Sequence, residues 1–129
     1  MTITRHQINR SRKVKLAILT PAFNEHQNLP VLHQRLNESL HGLDVDWFWI
    51  VIDDHSRDGT FEVLEELAAK DPRVSALRLT RNVGSHVALK CALDYCEADC
   101  AVVLAADLQD PPETIPALLK TWQNGAQMV

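Results

Sequence analysis

The sequence predicts an α/β fold: an open, mainly parallel sheet with helices on both faces. Three observations carry that reading. Short apolar runs alternate four times with segments of helical spacing. The runs lack the polar alternation of a half-solvated sheet, as strands covered on both faces do. Turn residues separate the units, and right-handed crossovers join parallel strands of this kind.

Val14 to Thr20 is the first apolar segment, ended by Pro21. From Leu29 to Leu40, apolar residues fall at 29, 32, 36 and 40, a helical spacing with Asn28 as its cap. Trp47 to Ile52 is aromatic and β-branched, a strand that ends on Asp53 and Asp54. Trp47 and Trp49 alternate along it, and core is their default place. Ser56-Arg57-Asp58-Gly59 is a turn. Phe61 to Ala69 returns to helical spacing and Asp71-Pro72 ends it. Val74 to Leu79 is the third strand. Asn82-Val83-Gly84-Ser85 opens the third helix, with Val87, Cys91, Leu93 and Tyr95 as candidate core residues. Cys100 to Ala105 reads as a buried fourth strand that stops at Asp107 and Asp110. Asp110 and Glu113 resemble a capping box for a fourth helix running to about Asn124, with Gly125 as its stop. Trp122 on that helix is a candidate exposed apolar patch.

Composition narrows the function. A length of 129 residues suits one domain or a piece of a larger one. A net charge of −4 argues against a general nucleic-acid binder, which needs a basic face. Cys91, Cys96 and Cys100 lack metal-ligand spacing and follow no export signal, so reduced thiols in a cytoplasmic protein are expected. No apolar run nears the roughly 20 residues a membrane-spanning helix needs. Residues 1–13 carry Arg5, Arg10, Arg12 and Lys13 and read as a flexible basic leader to a domain of residues 14–129. Ala126-Gln127-Met128-Val129 looks like the start of a fifth strand, so the chain is expected to be part of a longer one. The remainder would then hold the second substrate and any membrane contact.

Chemistry concentrates at three strand ends: Thr20-Pro21-Ala22-Phe23-Asn24-Glu25, Asp53-Asp54-His55-Ser56-Arg57-Asp58-Gly59-Thr60, and Asp107-Leu108-Gln109-Asp110. Open α/β sheets bind ligands outside the carboxyl ends of their strands. There the Phe23 ring would flank a base, and Asp54 would accept hydrogen bonds from a base or a ribose. Asp107 and Gln109 supply oxygens that suit Mg²⁺ or Mn²⁺ carrying a diphosphate. Asn82 and Gly84 would touch a diphosphate through backbone N–H groups, or form only the loop that opens a helix. The simpler alternative for Asp53 and Asp54 is a capped turn. Asp58 is a turn residue.

Pro21-Ala22-Phe23-Asn24-Glu25, Asp53 to Thr60, Arg81-Asn82-Val83-Gly84 and Ala106-Asp107-Leu108-Gln109-Asp110-Pro111-Pro112-Glu113 stand in the order and spacing of family 2 glycosyltransferases. The chain most resembles the branch that uses polyprenyl phosphates, with dolichol-phosphate mannosyltransferases and undecaprenyl-phosphate sugar transferases. The resemblance runs from about Val14 to Val129. It implies the Rossmann-like, nucleotide-binding half of a GT-A fold, a nucleotide-diphospho-sugar donor and an inverting transfer, at the inner face of the cytoplasmic membrane in the parent protein. By position, Pro21, Phe23 and Glu25 would line the nucleotide pocket, with Ile52 and Asp54 at base and ribose. Ala106 and Asp107 would meet ribose and diphosphate, and Asp107 with Gln109 would hold the metal. The catalytic base is expected beyond Val129, and the oligomeric state stays open.

The departures matter too. The family usually shows Asp-Ala-Asp where this chain has Ala105-Ala106-Asp107, which implies a weaker site for a hard divalent ion. His55 stands where glycine is common, and Ser85, with His86 next, where a basic residue is common. A non-catalytic sugar-nucleotide-binding or assembly module is therefore the alternative. A nucleotidyltransferase would carry a glycine-rich basic loop after the first strand, and a dinucleotide-dependent dehydrogenase a G-x-G-x-x-G. This chain has neither.

Overall fold

A computed structural model describes residues 12–127 of the chain. Four parallel strands, β1 (Val14–Ala22), β2 (Val45–Asp53), β3 (Val74–Arg78) and β4 (Cys100–Val103), form one sheet in the order β3-β2-β1-β4. Helices α1 (Asn28–Leu40), α2 (Thr60–Lys70) and α3 (Ser85–Tyr95) connect them. After β4 a short 3₁₀ turn (Pro112–Thr114) leads into α4 (Ile115–Gln123). The predicted open sheet with helices on both faces is present.

Strand periodicity divides the core in two. Leu16, Ile18, Trp47, Trp49 and Val51 face one side and meet Leu29, Leu32, Leu36 and Leu40 of α1, Leu64 of α2, and Ile115 and Leu119 of α4. Ala17, Leu19, Ile50 and Ile52 face the other side, under Ala88 and Ala92 of α3. Both tryptophans of β2 are thus core residues. The Trp49 indole N–H donates to the buried Thr20 hydroxyl at 2.9 Å, which satisfies its one polar atom. Trp122 is half-buried against the larger core rather than standing as an open patch.

Several boundaries move. β1 continues past Thr20 through Pro21 to Ala22. In a parallel ladder alternate residues bond to opposite neighbours. The Leu19 carbonyl accepts from Leu104 on the β4 side, and the Ala22 carbonyl accepts from Asp54 on the β2 side. Pro21 therefore turns its missing N–H toward β4, past the last pair of that ladder, Leu19 with Val103. Asn28 is not a cap but the first helical residue. The Glu25 carbonyl opens α1 by accepting the Asn28 and Leu29 N–H groups, and the Asn28 amide donates to the Glu25 carboxylate at 2.8 Å.

The phase of α3 differs from the expected one. Its buried residues are Ala88 and Ala92, while Val87, Leu93 and Tyr95 are exposed and Cys91 is half-buried. Small side chains let the helix lie close over β1 and β2. β4 is a sheet edge among the described residues, not a buried strand, and Val103 is 52 % exposed because α3 does not cover it. The expected capping box is absent too. Asp110 accepts the Ala105 N–H, and Glu113 makes two bonds to Arg35 at 2.9 and 2.7 Å. Pro111 and Pro112 offer no N–H to cap.

At the opposite edge of the sheet, Asp71 accepts from Arg73 and from His33 at 2.8 Å, while the Arg73 guanidinium lies 3.9 Å over the Trp47 ring. The Arg73 bonds hold the Asp71 carboxyl well below the usual carboxylate range. Ahead of β1 and β4, Arg12 grips Asp99 with two bonds of 2.7 Å and the Lys15 N–H adds a third. Arg12 is thus tied to the domain, while residues 1–11 of the expected leader lie outside the described residues. Ala126 and Gln127 are not strand, and Met128 and Val129 lie outside the described residues. The three cysteines are free thiols, and burial pushes Cys100 up to about 11. No helix among the described residues is long and apolar enough to cross a membrane.

Two outcomes follow for stability. Ala88→Leu is expected to cost about 1–3 kcal/mol by overpacking, whereas Leu93→Ser stays within about 0.5 kcal/mol, both read by urea unfolding. The Arg12 bonds depress the Asp99 carboxyl to about 2 from an ordinary 3.8. A depressed carboxylate stabilises the fold above its unfolded value, and that contribution fades as pH falls from about 4 to about 2. Asp99→Asn is expected to flatten the stability curve in that window, and an unchanged slope there contradicts the assignment.

Candidate functional site

A crevice of about 250 Å³ opens at the carboxyl edge of the sheet. Pro21, Ala22, Phe23 and Glu25 line it from β1 and its loop, Asp54 from the end of β2, Ser85 from the start of α3, and Ala105, Ala106 and Asp107 from the segment after β4. Strand register explains the convergence. β1 and β2 pair without a gap to Ala22 with Asp53, so their ends are level. β4 pairs only to Val103, opposite Leu19, and counting on from there brings Asp107 to the height of Phe23.

Side-chain bonds stitch the first two loops together. The Asn24 N–H donates to the Ser56 hydroxyl at 2.9 Å, and the Asn24 side-chain oxygen accepts the Arg57 N–H at 3.0 Å. The Glu25 N–H donates to the Thr60 hydroxyl at 2.9 Å. Asp58 accepts the Thr60 N–H and hydroxyl and lies 2.8 Å from the His26 ring nitrogen. Burial alone raises the Asp58 carboxyl, but the bonds from Thr60 and His26 outweigh it and hold the group below its ordinary value.

The two adjacent acids after β2 take different places. Asp53 is fully buried. One of its oxygens accepts the Ser56 N–H and hydroxyl, and the other faces the Arg78 guanidinium at 3.3 Å without hydrogen-bond geometry. Asp54 reaches the crevice, yet its carboxylate accepts the Val83 N–H and the Gly84 N–H, each at 2.8 Å, and the Asn82 amide at 3.3 Å. Asn82 and Gly84 therefore stand behind the crevice wall, and the Gly84 N–H is already bonded. Ile52 does not face the crevice: its side chain is fully buried beneath α3.

In the third loop Asp107 is exposed, with one oxygen accepting the Gln109 N–H at 3.1 Å. Gln109 is exposed outside the crevice lining. Leu108 between them has φ +66° and packs against the larger core. Asn24 at +54° and His55 at +60° are also left-handed, so each of the three loops holds one such non-glycine residue. Each costs roughly 1–2 kcal/mol, and such strain gathers where a site is held in shape. The His55 ring faces the Leu79 carbonyl at 3.1 Å, and His86 is exposed on α3.

The crevice lining holds three carboxylates and no basic side chain. No group of three or more His, Cys, Asp or Glu that would cage a metal exists among the described residues. One exposed carboxylate, with an amide two residues on, instead suits a hard cation that arrives with most of its oxygen ligands. Ala22, Ser85 and Ala105 were missed as lining residues. Their signals are their neighbours, Phe23, Gly84 and Ala106, and for Ser85 and Ala105 their place in the motifs.

The sequence model of glycosyl transferase family 2 matches residues 17–129. A bactoprenol glucosyl transferase of Shigella phage SfV is 37% identical over 116 residues, 90% of this chain and 38% of that protein. An undecaprenyl-phosphate 4-deoxy-4-formamido-L-arabinose transferase of Proteus mirabilis (strain HI4320) is 37% identical over 116 residues, 89% of this chain and 36% of that protein. The chain thus spans little more than a third of the relatives it matches. A solved mannosyltransferase of Pyrobaculum calidifontis, in complex with GDP-Man and Mn²⁺, superposes with a TM-score of 0.68 at 22% identity, covering 92% of this chain and 34% of that one. That likeness establishes the fold, part of the GT-A plan.

Gly84 sits at φ +95°, ψ 159°, a region open essentially to glycine alone, although a Cβ there would meet nothing within 4 Å. Gly84→Ala is therefore expected to cost about 1–3 kcal/mol through conformation and not through a clash. Urea unfolding reads the loss, and no change means the loop relaxes freely.

Proposed function

The chain belongs to glycosyl transferase family 2, and we propose from that premise that its crevice binds a nucleotide-diphospho-sugar as the donor for transfer to a polyprenyl phosphate. The observation that carries this reading is the meeting of Phe23, Asp54 and Asp107 around one crevice. Phe23 offers a half-exposed ring on which a base can stack. Pro21 and Glu25 form the wall beside it, with Asp54 at the back. Ala106 is buried and small, which lets a ribose and diphosphate approach the chain near Asp107.

Charge argues for a divalent ion. A diphosphate would enter a crevice lined by three carboxylates, and a cation between them removes that repulsion. Asp107 and Gln109 would hold it, with the diphosphate and water completing its oxygen shell. When bound, Mg²⁺ or Mn²⁺ supplies Lewis-acid neutralisation of the leaving diphosphate. Ala105, beside Asp107, adds no ligand, so affinity for the metal without nucleotide is low.

The acceptor is inferred from the two relatives, whose names specify bactoprenol and undecaprenyl phosphate. A lipid phosphate is already anionic near neutral pH and needs little general-base help, so positioning and leaving-group stabilisation suffice. Such an acceptor places the reaction at a membrane surface, the inner face of the cytoplasmic membrane in this reading. The single carboxylate at the metal position favours one other reading, a module that binds sugar nucleotides without turnover.

Titration calorimetry with UDP-glucose and GDP-mannose separates these readings. Mn²⁺ is expected to tighten at least one of them by tenfold or more, and Asp107→Asn to abolish that gain. Phe23→Ala is expected to weaken binding by about 1–3 kcal/mol. Binding that ignores both Mn²⁺ and Asp107 favours the module without turnover. Absence of binding to either nucleotide sugar overturns the proposal.

A further inference from the structure

The chain keeps its pleat after the sheet ends. The last ladder pair of β4 is Val103 with Leu19. Yet Cys100, Val102, Leu104, Ala106 and Leu108, every second residue, all pack against the larger core. Ala105 and Asp107 stand between them and line the crevice. The hydrogen bonds of this loop close on itself: the Ala105 N–H donates to Asp110 at 3.2 Å, and the Gln109 N–H donates to Asp107 at 3.1 Å. Past both prolines, Glu113 fastens the far end to Arg35 of α1. Between Ala106 and that ion pair the loop holds to the body through apolar groups, Leu108 and the buried Pro112. Leu108 does so at φ +66°. Asn24 and His55, the other left-handed non-glycine residues among those described, are of types enriched in that region, whereas leucine is not. A bulky residue persists there only where its surroundings over-determine it, and such outliers gather at ligand clamps.

We propose that Leu108 is a positioning residue, an apolar anchor that fixes the stretch of backbone carrying the Asp107 carboxylate and the Gln109 amide. Its two neighbours in sequence are the groups that would hold the cation, and both are exposed. With alanine at position 105, a single carboxylate must meet the ion, so its aim matters more than in a cage of several acids. Core packing of Leu108 offsets the cost of the left-handed backbone, and that turn brings the Gln109 N–H back onto Asp107. Glycine or asparagine would take the same backbone at lower cost but would leave the loop without its apolar hold. The consequence for the metal rests on the donor reading above. The anchor itself stands without that reading.

Leu108→Gly, Leu108→Asn and Leu108→Met separate an anchor from a backbone effect. The first two suit a left-handed position and lose the apolar side chain, whereas the third keeps its bulk. The metal gain is the ratio of affinities with and without Mn²⁺, read by calorimetry with UDP and GDP. Leu108→Gly and Leu108→Asn are expected to cut a gain of about tenfold to about threefold or less, with the metal-free affinity kept within about twofold. Leu108→Met is expected to keep the gain within about twofold of the unaltered protein. A side chain that served stability alone would leave the gain intact in every variant that folds. Amide hydrogen exchange gives a second reading. The Gln109 amide is expected to exchange about tenfold or more slower than an open chain, and about fivefold faster again in Leu108→Gly and Leu108→Asn, while Ile18 and Leu19 in β1 keep their protection. An undiminished gain in either Leu108→Gly or Leu108→Asn overturns the anchor. So does open-chain exchange at Gln109 in the unaltered protein, a measurement that needs no variant to fold. Absence of any metal gain in the unaltered protein counts against the donor reading, and the Gln109 exchange then decides the anchor alone.

Discussion

The parallel register between β1 and β2 is the constraint on which the rest of the molecule depends. It runs unbroken from Val14 with Val45 to Ala22 with Asp53, and the Asp54 N–H extends it to the Ala22 carbonyl. Parallel strands present all their carboxyl ends at one edge, so the loops after β1, β2 and β4 have no choice but to share a crevice. Slipping the register by one residue would reverse the faces of Trp47, Trp49 and Ile50 and bury the wrong set. The bond from the Trp49 indole to the Thr20 hydroxyl adds a polar match inside the core that only this alignment satisfies.

Beyond the strand ends, side chains take over the work of backbone ladders. Most acids near the crevice are consumed in this way. Asp53 closes its own turn through Ser56, Asp58 gathers Thr60 and His26, Asp54 collects the loop before α3, and Asp110 accepts from Ala105. Asp107 is exposed, with one oxygen on the Gln109 N–H, and Glu25 is half-buried in the same lining. Most of the strand-end acids thus hold loops in place, and Glu25, Asp54 and Asp107 are the three that line the crevice. The left-handed residues Asn24, His55 and Leu108 are held in place by this web of bonds and, for Leu108, by core packing.

Much of this was legible beforehand. Apolar spacing located each strand and helix, and the strand-end motifs named Phe23, Asp54 and Asp107 as neighbours in space. What sequence could not supply was orientation. Hydropathy favours large residues, so Val87, Leu93 and Tyr95 stood out on α3, whereas the close packing of helix on sheet selected Ala88 and Ala92. The motif from Asp110 to Glu113 matched a capping box, yet two prolines removed the groups to be capped, and the acids found Ala105 and Arg35 instead. Ile52 borrowed significance from its neighbours, but strand alternation turns its side chain into the core under α3. Position in a motif told which residues are close, and local geometry decided which of them face the crevice.

The account stands on one spatial claim, that the three strand-end loops grip one nucleotide together with its cation. Paramagnetic broadening by Mn²⁺ with UDP or GDP reads this claim most directly. The account predicts that backbone signals of Phe23, Asp54 and Asp107 broaden together when Mn²⁺ and nucleotide are both present, while His33 and Asp71 at the opposite edge stay sharp. Broadening confined to the His33–Asp71 edge, or found at only one of the three loops, contradicts it.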